Sequence, residues 1–114
     1  MRLKSALWVA AYLRRCQVEG AFAVLRRRGA EEAGAVFVRI CRLDGTSDLF
    51  GPAPQSELDT GHGADRAFMP SFAEQPVSDA AVEAYLAREV KFDPDIWIVE
   101  VDEPKGRNFL PVAK

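Results

Sequence analysis

Hydrophobic and polar positions recur with helical spacing in two parts of the chain, and each part predicts a helix. In the first, residues 5–19 are rich in Ala and Leu, and Gly20 is the residue type that most often ends a helix. In the second, Ser78 suits the N-cap position and Asp93-Pro94 ends the helix, because the residue before a proline avoids the helical conformation. The stripes predicted to face the core are Leu3, Ala6, Val9, Ala10 and Leu13 in the first helix and Ala81, Val82, Tyr85, Leu86 and Val90 in the second.

Apolar runs of shorter period predict the strands. Residues 21–28 and 35–43 have strand character, and the polar segment 29–34, bracketed by glycines, predicts a hairpin between them. Residues 96–101 are largely apolar on both faces, which indicates a strand in the interior of a sheet. Further short strands are predicted from Leu49-Phe50 onward, around 66–72 and, at an edge, at 108–112.

This order of elements predicts an α+β fold, with a mostly antiparallel sheet of four to five strands and two helices packed on one face. A chain of 114 residues is long enough for one core and too short for two, so a single domain is expected over residues 1–114. Residues 51–65 read GPAPQSELDTGHGAD, and their Gly and Pro content predicts a mobile surface loop.

Composition excludes several classes of protein. With 48% apolar residues and two cysteines, the chain is too apolar to be disordered and too poor in Cys to be a disulfide scaffold. No apolar run approaches the roughly 18 residues that span a bilayer. Arg14, Arg15 and Glu19 interrupt what would otherwise resemble a secretion signal. We therefore expect a cytoplasmic protein with no membrane association, in which Cys16 and Cys41 stay reduced.

The net charge of −2 hides an uneven distribution. Residues 1–43 carry nine Lys or Arg and three acids, which gives +6, whereas residues 44–114 carry six and fourteen, which gives −8. Either the two halves neutralise each other, which we favour, or arginines form a site for an anion or nucleic acid. Arg39 and Glu100 each interrupt an apolar strand, so an ion pair between them is the preferred interpretation. The candidates for an anion site are Arg26, Arg28, Arg39 and Arg42.

The first helix also carries Trp8, Tyr12 and Arg15 at helical spacing, on the side opposite its predicted core stripe. Trp, Tyr and Arg are the residue types most enriched in binding hot spots. Either the domain covers this face itself, or the face meets another chain. The leading hypothesis is a small non-enzymatic interaction or accessory domain that binds a protein partner, or a second copy of itself as a homodimer, through these three residues.

Catalytic signatures are sparse. The sequence has no phosphate-binding glycine motif, no nucleophile elbow and no zinc-binding pattern, so neither a metal nor a cofactor is predicted. A remaining alternative is a small enzyme in which the imidazole of His62 serves as acid or base and the thiolate of Cys41 as nucleophile. His62 is flanked by glycines in a loop, where a catalytic group is poorly held, which makes this alternative the weaker one.

Two segments of the chain resemble an uncharacterised family of small single-domain bacterial proteins. They are Arg27-Arg28-Gly29 leading to Ala33-Gly34-Ala35, and Phe92-Asp93-Pro94-Asp95-Ile96-Trp97 running into Ile98-Val99-Glu100. The resemblance covers nearly the whole chain and implies a stand-alone bacterial cytoplasmic domain. It carries over no activity, cofactor or catalytic residue, and the His62 loop is outside the matching motifs.

Overall fold

The computed structural model describes residues 4–54 and 66–111, which contain two helices and six strands. The helices and strands follow the chain in the order α1 (Ser5–Val18), β1 (Phe22–Arg27), β2 (Val36–Cys41), β3 (Thr46–Pro52), β4 (Phe68–Pro70), β5 (Val77–Ser78), α2 (Asp79–Phe92) and β6 (Trp97–Asp102).

One sheet contains all six strands, in the spatial order β1-β6-β2-β3-β4, with β5 also paired to β3. Only β2 and β6 run parallel among these pairs, and the others are antiparallel. The predicted α+β class is therefore confirmed, as is the mostly antiparallel sheet, although the sheet has six strands rather than four to five.

The predicted hairpin between the first two strands is wrong, because β6 lies between β1 and β2 and bonds to both. The reason lies in the composition of β6, whose apolar side chains on both faces require two neighbouring strands as well as cover above and below. The prediction that residues 96–101 form an interior strand is confirmed.

The two helices pack on opposite faces of the sheet, and the prediction of one shared face is wrong. Val36, Val38 and Ile40 of β2 belong to the core beneath α1, whereas Phe37 belongs to the core beneath α2. The two central strands, β2 and β6, are apolar on both faces, so a helix on one face alone would leave half of their apolar side chains in water. Three layers result, with the sheet in the middle.

Local signals fixed the helix ends as predicted. Gly20 adopts a left-handed conformation with φ of 84° after α1, and the Ser78 hydroxyl accepts a hydrogen bond of 3.1 Å from the Ala81 amide at the start of α2. The predicted loop at residues 51–65 begins later than expected, because Gly51 and Pro52 belong to β3. Residues 55–65, which include His62, lie outside the described residues.

The segment after β6 departs from prediction, because residues 108–111 form no strand. Phe109 has φ of 58°, and Pro111 has no amide hydrogen to donate to a sheet. Residue 112 lies outside the described residues. The segment instead lies over one side of α1, and the Pro111 carbonyl accepts a hydrogen bond of 3.0 Å from the Phe68 amide.

The segment between β1 and β2 closes over the start of β6. The Trp97 indole donates to the Ala30 carbonyl at 2.8 Å, and the Ala30 amide donates to the Asp95 carbonyl at 2.9 Å. A Cβ atom added to Gly29 or Gly34 would lie far inside van der Waals contact with the Asp95 carbonyl oxygen. The two segments on which the family resemblance rests are thus in contact with each other, and their glycines are needed for that contact.

Candidate functional site

A groove of about 530 Å³ lies between one side of α1 and the segment that follows β6. Each wall comes from one end of the chain, so the groove exists only in the folded protein. Its lining residues are Trp8, Ala11, Tyr12 and Arg15 from α1, and Asn108, Phe109, Leu110 and Pro111 from the later segment. The structure therefore brings the three residues of the predicted interaction face into one concave surface.

Aromatic rings form one side of this groove. The Trp8 and Tyr12 rings are stacked, with centroids 5.1 Å apart and planes 10° apart, and Trp8 also contacts the Phe68 ring at 5.0 Å. Such ring pairs add about 0.5–1.5 kcal/mol beyond the area they bury. Trp8 is half-buried and stays accessible from the groove. The groove thus presents an indole that is already held in position.

Tyr12 departs from the prediction that it faces away from the core. It is buried, and its hydroxyl donates to the Asn108 carbonyl at 2.6 Å. Burial raises the pKa of Tyr12, so the hydroxyl remains a proton donor. The side of α1 that faces the sheet contains Ser5, Val9, Tyr12 and Cys16 rather than the predicted stripe. Of that stripe, Val9 alone is fully buried, Ala6 and Leu13 pack at its margin, and Leu3 lies outside the described residues.

Positive charge lies at the mouth of the groove. The side chain of Arg15 is 62% exposed, and its ion pair with Glu19, at 3.9 Å, is the weak kind found at surfaces. The guanidinium of Arg107 lies 5.2 Å from the centroid of the Phe109 ring while it also binds Glu103. An acidic group at the mouth could therefore replace Glu19 as the partner of Arg15.

Arg39 occupies a different site, on the face of the sheet covered by α2, and is 6% exposed. Its guanidinium donates to Glu100 at 3.1 Å, which confirms the predicted pair. It also binds Asp79 at 3.1 Å and donates to Glu83. The Ser47 hydroxyl accepts from Arg39 Nε at 3.1 Å and donates to Asp79 at 2.6 Å. A buried cation is thus surrounded by three carboxylates and a hydroxyl.

Arg26 completes this network from β1. It donates to both carboxylate oxygens of Glu83, at 2.6 and 2.9 Å, and to Glu100 at 2.7 Å. The hydrogen bonds from Arg26 and then Arg39 lower the pKa of Glu83. The hydrophobic period of α2 gives no sign that Glu83 would meet arginines from β1 and β2. Two guanidinium groups and three carboxylates leave this network with a net charge of −1.

The other arginines of the predicted anion site also have partners. Arg42 binds Asp48 at 2.8 Å, and Arg28 lies over the Trp97 ring with its guanidinium carbon 5.1 Å from the ring centroid. Three of the four candidate arginines are therefore in ion pairs with carboxylates from the acidic half of the sequence. This arrangement favours the first interpretation of the uneven charge, in which the two halves neutralise each other.

Of the two residues of the enzyme alternative, His62 lies outside the described residues and Cys41 is described. Burial raises the pKa of the Cys41 thiol, which disfavours the thiolate that a nucleophile requires. Cys16, on the side of α1 that faces the sheet, is fully buried. Among residues 4–54 and 66–111, no three His, Cys, Asp or Glu side chains lie close enough together to hold a metal ion. No helix in that part of the chain is long and apolar enough to cross a membrane.

The fold and the groove define a small three-layer α+β domain with paired charges on one face of its sheet and a preformed aromatic groove beside α1. The chain belongs to the DUF1491 family, described as a protein of unknown function, whose profile matches residues 3–111. This membership is consistent with the resemblance to an uncharacterised family, and the family brings no assigned activity with it.

Solved structures of similar proteins share the fold along the whole chain. A DUF1491 family protein from Caulobacter crescentus CB15, solved by crystallography, is 37% identical over 100% of both chains, with a TM-score of 0.80. The solution structure of protein Atu0922 from A. tumefaciens is 39% identical over 100% of this chain and 97% of the other, with a TM-score of 0.83. No curated protein matches the chain.

Proposed function

We propose that this protein is a small non-enzymatic interaction domain, and that its groove binds a short segment of a partner protein. The observation that supports this proposal is the half-exposed Trp8 ring, stacked on Tyr12 and set in a concave surface with Arg15 at its mouth. Trp and Arg in a concave surface are the residues that dominate binding energy at protein interfaces. The absence of a disulfide at Cys16 and Cys41 fits a cytoplasmic address.

The groove is held in shape before any partner arrives. Trp8 lies between the rings of Tyr12 and Phe68, and the Tyr12 hydroxyl fixes the Asn108 backbone. Ordering a mobile side chain during binding costs about 0.5–1.5 kcal/mol, and these rings are already ordered. A segment that inserts one side chain therefore retains most of the energy that it gains from contact.

The charges around the groove indicate the chemistry of the partner. The groove is lined by the rings of Trp8 and Phe109 and by the guanidinium of Arg15, so its surface offers both apolar and positively charged contacts. A segment with an aromatic or large aliphatic side chain, and an Asp or Glu within a few residues of it, satisfies both features. Rim charges of this kind steer association and contribute to specificity more than to affinity.

Selection of short displayed peptides on the wild-type protein, followed by calorimetry with an enriched peptide, tests the proposal. We expect enriched peptides to combine an aromatic or large aliphatic residue with a nearby acid. Trp8→Ala should weaken binding at least tenfold, since removal of a hot-spot residue costs about 2 kcal/mol or more. Arg15→Glu should weaken binding and remove the preference for acidic residues.

Leu7→Ala is the matched control, because Leu7 is exposed on the same helix and does not line the groove. It should leave the affinity unchanged, and circular dichroism should report folded protein for all three variants. A folded Trp8→Ala protein that binds as tightly as wild type would overturn the proposal. A dimer that dissociates in Trp8→Ala would instead identify a second copy of the chain as the occupant. Oligonucleotide binding that weakens steeply with salt would support the anion-binding alternative.

A further inference from the structure

The outer edge of β1 is open. This strand ends the sheet and, among the described strands, is bonded only to β6. Amide and carbonyl groups on its other side therefore point away from the ladder. Proteins commonly protect such edges with Pro, Lys or a covering loop, because a free edge pairs readily with another strand. In β1, whose sequence is FAVLRR, the arginines and the register irregularity protect only the end of the strand, and Phe22–Leu25 contains neither Pro nor a charged residue.

Exposed apolar side chains are concentrated at this edge. In the described part of the chain, four of the eight large apolar residues that are exposed lie between residues 18 and 25. Phe22 is 66% exposed and Val24 is 39% exposed, although both belong to a strand of the sheet. Val18, at the end of α1, and Leu25 complete the cluster. These side chains surround one edge of the sheet and form an apolar patch there, with Phe22 and Val24 on one face of β1 and Leu25 on the other.

The patch continues onto the helix layer through a second groove, of about 450 Å³, between α1 and β1. Its lining includes Leu13 and Gln17 from α1, and Phe22 and Ala23 from β1. A strand added to β1 would extend the sheet beneath this groove. Side chains of the added protomer would then pack against α1 as well as against β1.

We infer that the occupant of this edge is a second copy of the same chain, whose β1 pairs antiparallel with this one to form a continuous twelve-stranded sheet. A twofold axis perpendicular to the sheet places the open edges of the two copies side by side and keeps both α1 helices on the same side of the sheet. This symmetry requires one residue of β1 to lie opposite itself. The register irregularity between Leu25 and Arg27 limits the flat part of the edge to Phe22–Leu25, so the axis lies near the middle of these residues, and we place it at Val24.

Charge favours the antiparallel arrangement. Arg26, Arg27 and Arg28 lie at one end of the strand, and parallel pairing would place the two clusters side by side. With the axis at Val24, the two Arg26 residues are four strand positions apart, which is about 13 Å. This distance exceeds the Debye length of about 8 Å at physiological salt. Arg26 is in addition neutralised within its own chain by Glu83 and Glu100.

A short edge and one groove give a small interface, so the dimer is weak, with a dissociation constant expected at about 10–100 µM. Sedimentation of the full chain over a range of concentrations around this value tests the inference. Wild-type protein should shift from its monomer mass of 12.6 kDa toward twice that value as the concentration rises. Hydrogen exchange at the β1 amides should slow over the same range.

Val24→Lys places two ammonium groups opposite each other at the axis, and should raise the dissociation constant at least tenfold. Phe22→Lys, at a more exposed position, gives a second variant in case Val24→Lys fails to fold. Phe92→Lys is the matched control, because Phe92 is 86% exposed at the end of α2 and should leave the dimer unchanged. Trp8→Ala should also leave the dimer unchanged, which separates this inference from the proposed partner groove. Wild-type protein that stays monomeric up to about 500 µM, or a folded lysine variant that dimerises as wild type, would refute the inference.

Discussion

Replacement of Arg39 by Met tests whether the ion-pair network stabilises the fold. The substitution keeps an unbranched side chain but removes the buried guanidinium. Arg26 then remains the partner of Glu83 and Glu100, and Asp79 loses its arginine partner. Breaking a fully buried ion pair costs about 3–5 kcal/mol. Asp79 and Glu83 are about half exposed and regain water, so we expect a smaller loss of about 2 kcal/mol at pH 7. For a domain of this size the melting temperature should fall by roughly 10 °C.

The cost should depend on pH in a defined direction. The pKa of Glu83 is lowered in the folded protein, first by the hydrogen bond from Arg26 and then by that from Arg39. A carboxyl group with a depressed pKa stabilises the fold above its unfolded pKa, which is about 4.3, and loses that contribution as the pH falls through its folded value. Arg39→Met has less of this contribution to lose. The difference from wild type should therefore be smaller at pH 3.5 than at pH 7.

Urea denaturation at the two pH values, followed by circular dichroism, measures this difference. Arg14→Met is the control, because it removes an exposed arginine that makes no ion pair with any described residue, and it should cost less than about 0.5 kcal/mol. An equal cost for Arg39→Met at pH 7 and pH 3.5 would show that Arg39 acts through packing rather than charge. A cost as small as that of the control would refute the reasoning outright.

Two further substitutions probe the contacts that shape the core and the groove. Gly34→Ala should destabilise the protein by about 3 kcal/mol or more, because its Cβ would overlap the Asp95 carbonyl, whereas Gly20→Ala should cost only about 1 kcal/mol, since it meets open space and strains only φ. Thermal denaturation compares the two, and equal melting temperatures would contradict the close contact at Gly34. Tyr12→Phe removes the hydrogen bond to the Asn108 carbonyl and should cost about 1 kcal/mol in urea denaturation. It should also weaken peptide binding, and a variant as stable as wild type would show that the hydroxyl does not hold the groove wall.

Sequence predicted those elements whose signals are local. The Ser78 cap, the Gly20 end and the proline after Asp93 each act within a few residues, and the helix limits came out close to expectation. The Arg39–Glu100 pair was also predictable, because a single charge in an apolar strand needs a partner and few partners were available. These inferences required no knowledge of which strands are neighbours.

The errors arose where distant segments decide the outcome. Apolar side chains on both faces of residues 96–101 indicated an interior strand, but nothing local indicated that it separates β1 from β2. The one-face packing of the helices failed for the same reason. Tyr12 was assigned to the outer face of α1, although the later segment supplies the carbonyl that its buried hydroxyl requires. The predicted face of Trp8, Tyr12 and Arg15 does line a groove, while the opposite wall of that groove was not predicted.

The central place of β6 has a consequence for synthesis of the protein. Val24 of β1 pairs with Glu100 of β6, and Val38 of β2 pairs with Val99 of β6. These two ladders therefore cannot form until β6 has been synthesised. The contacts of β3 with β2 and with β4 join strands that follow each other along the chain, so these contacts can form early. During translation, we expect the edges of β1 and β2 that pair with β6 to remain exposed until residue 102 has left the ribosome. A chain that stops before Trp97 therefore lacks the strand that joins its two halves, and we expect such a product to be recognised by chaperones and proteases rather than to accumulate as a smaller domain.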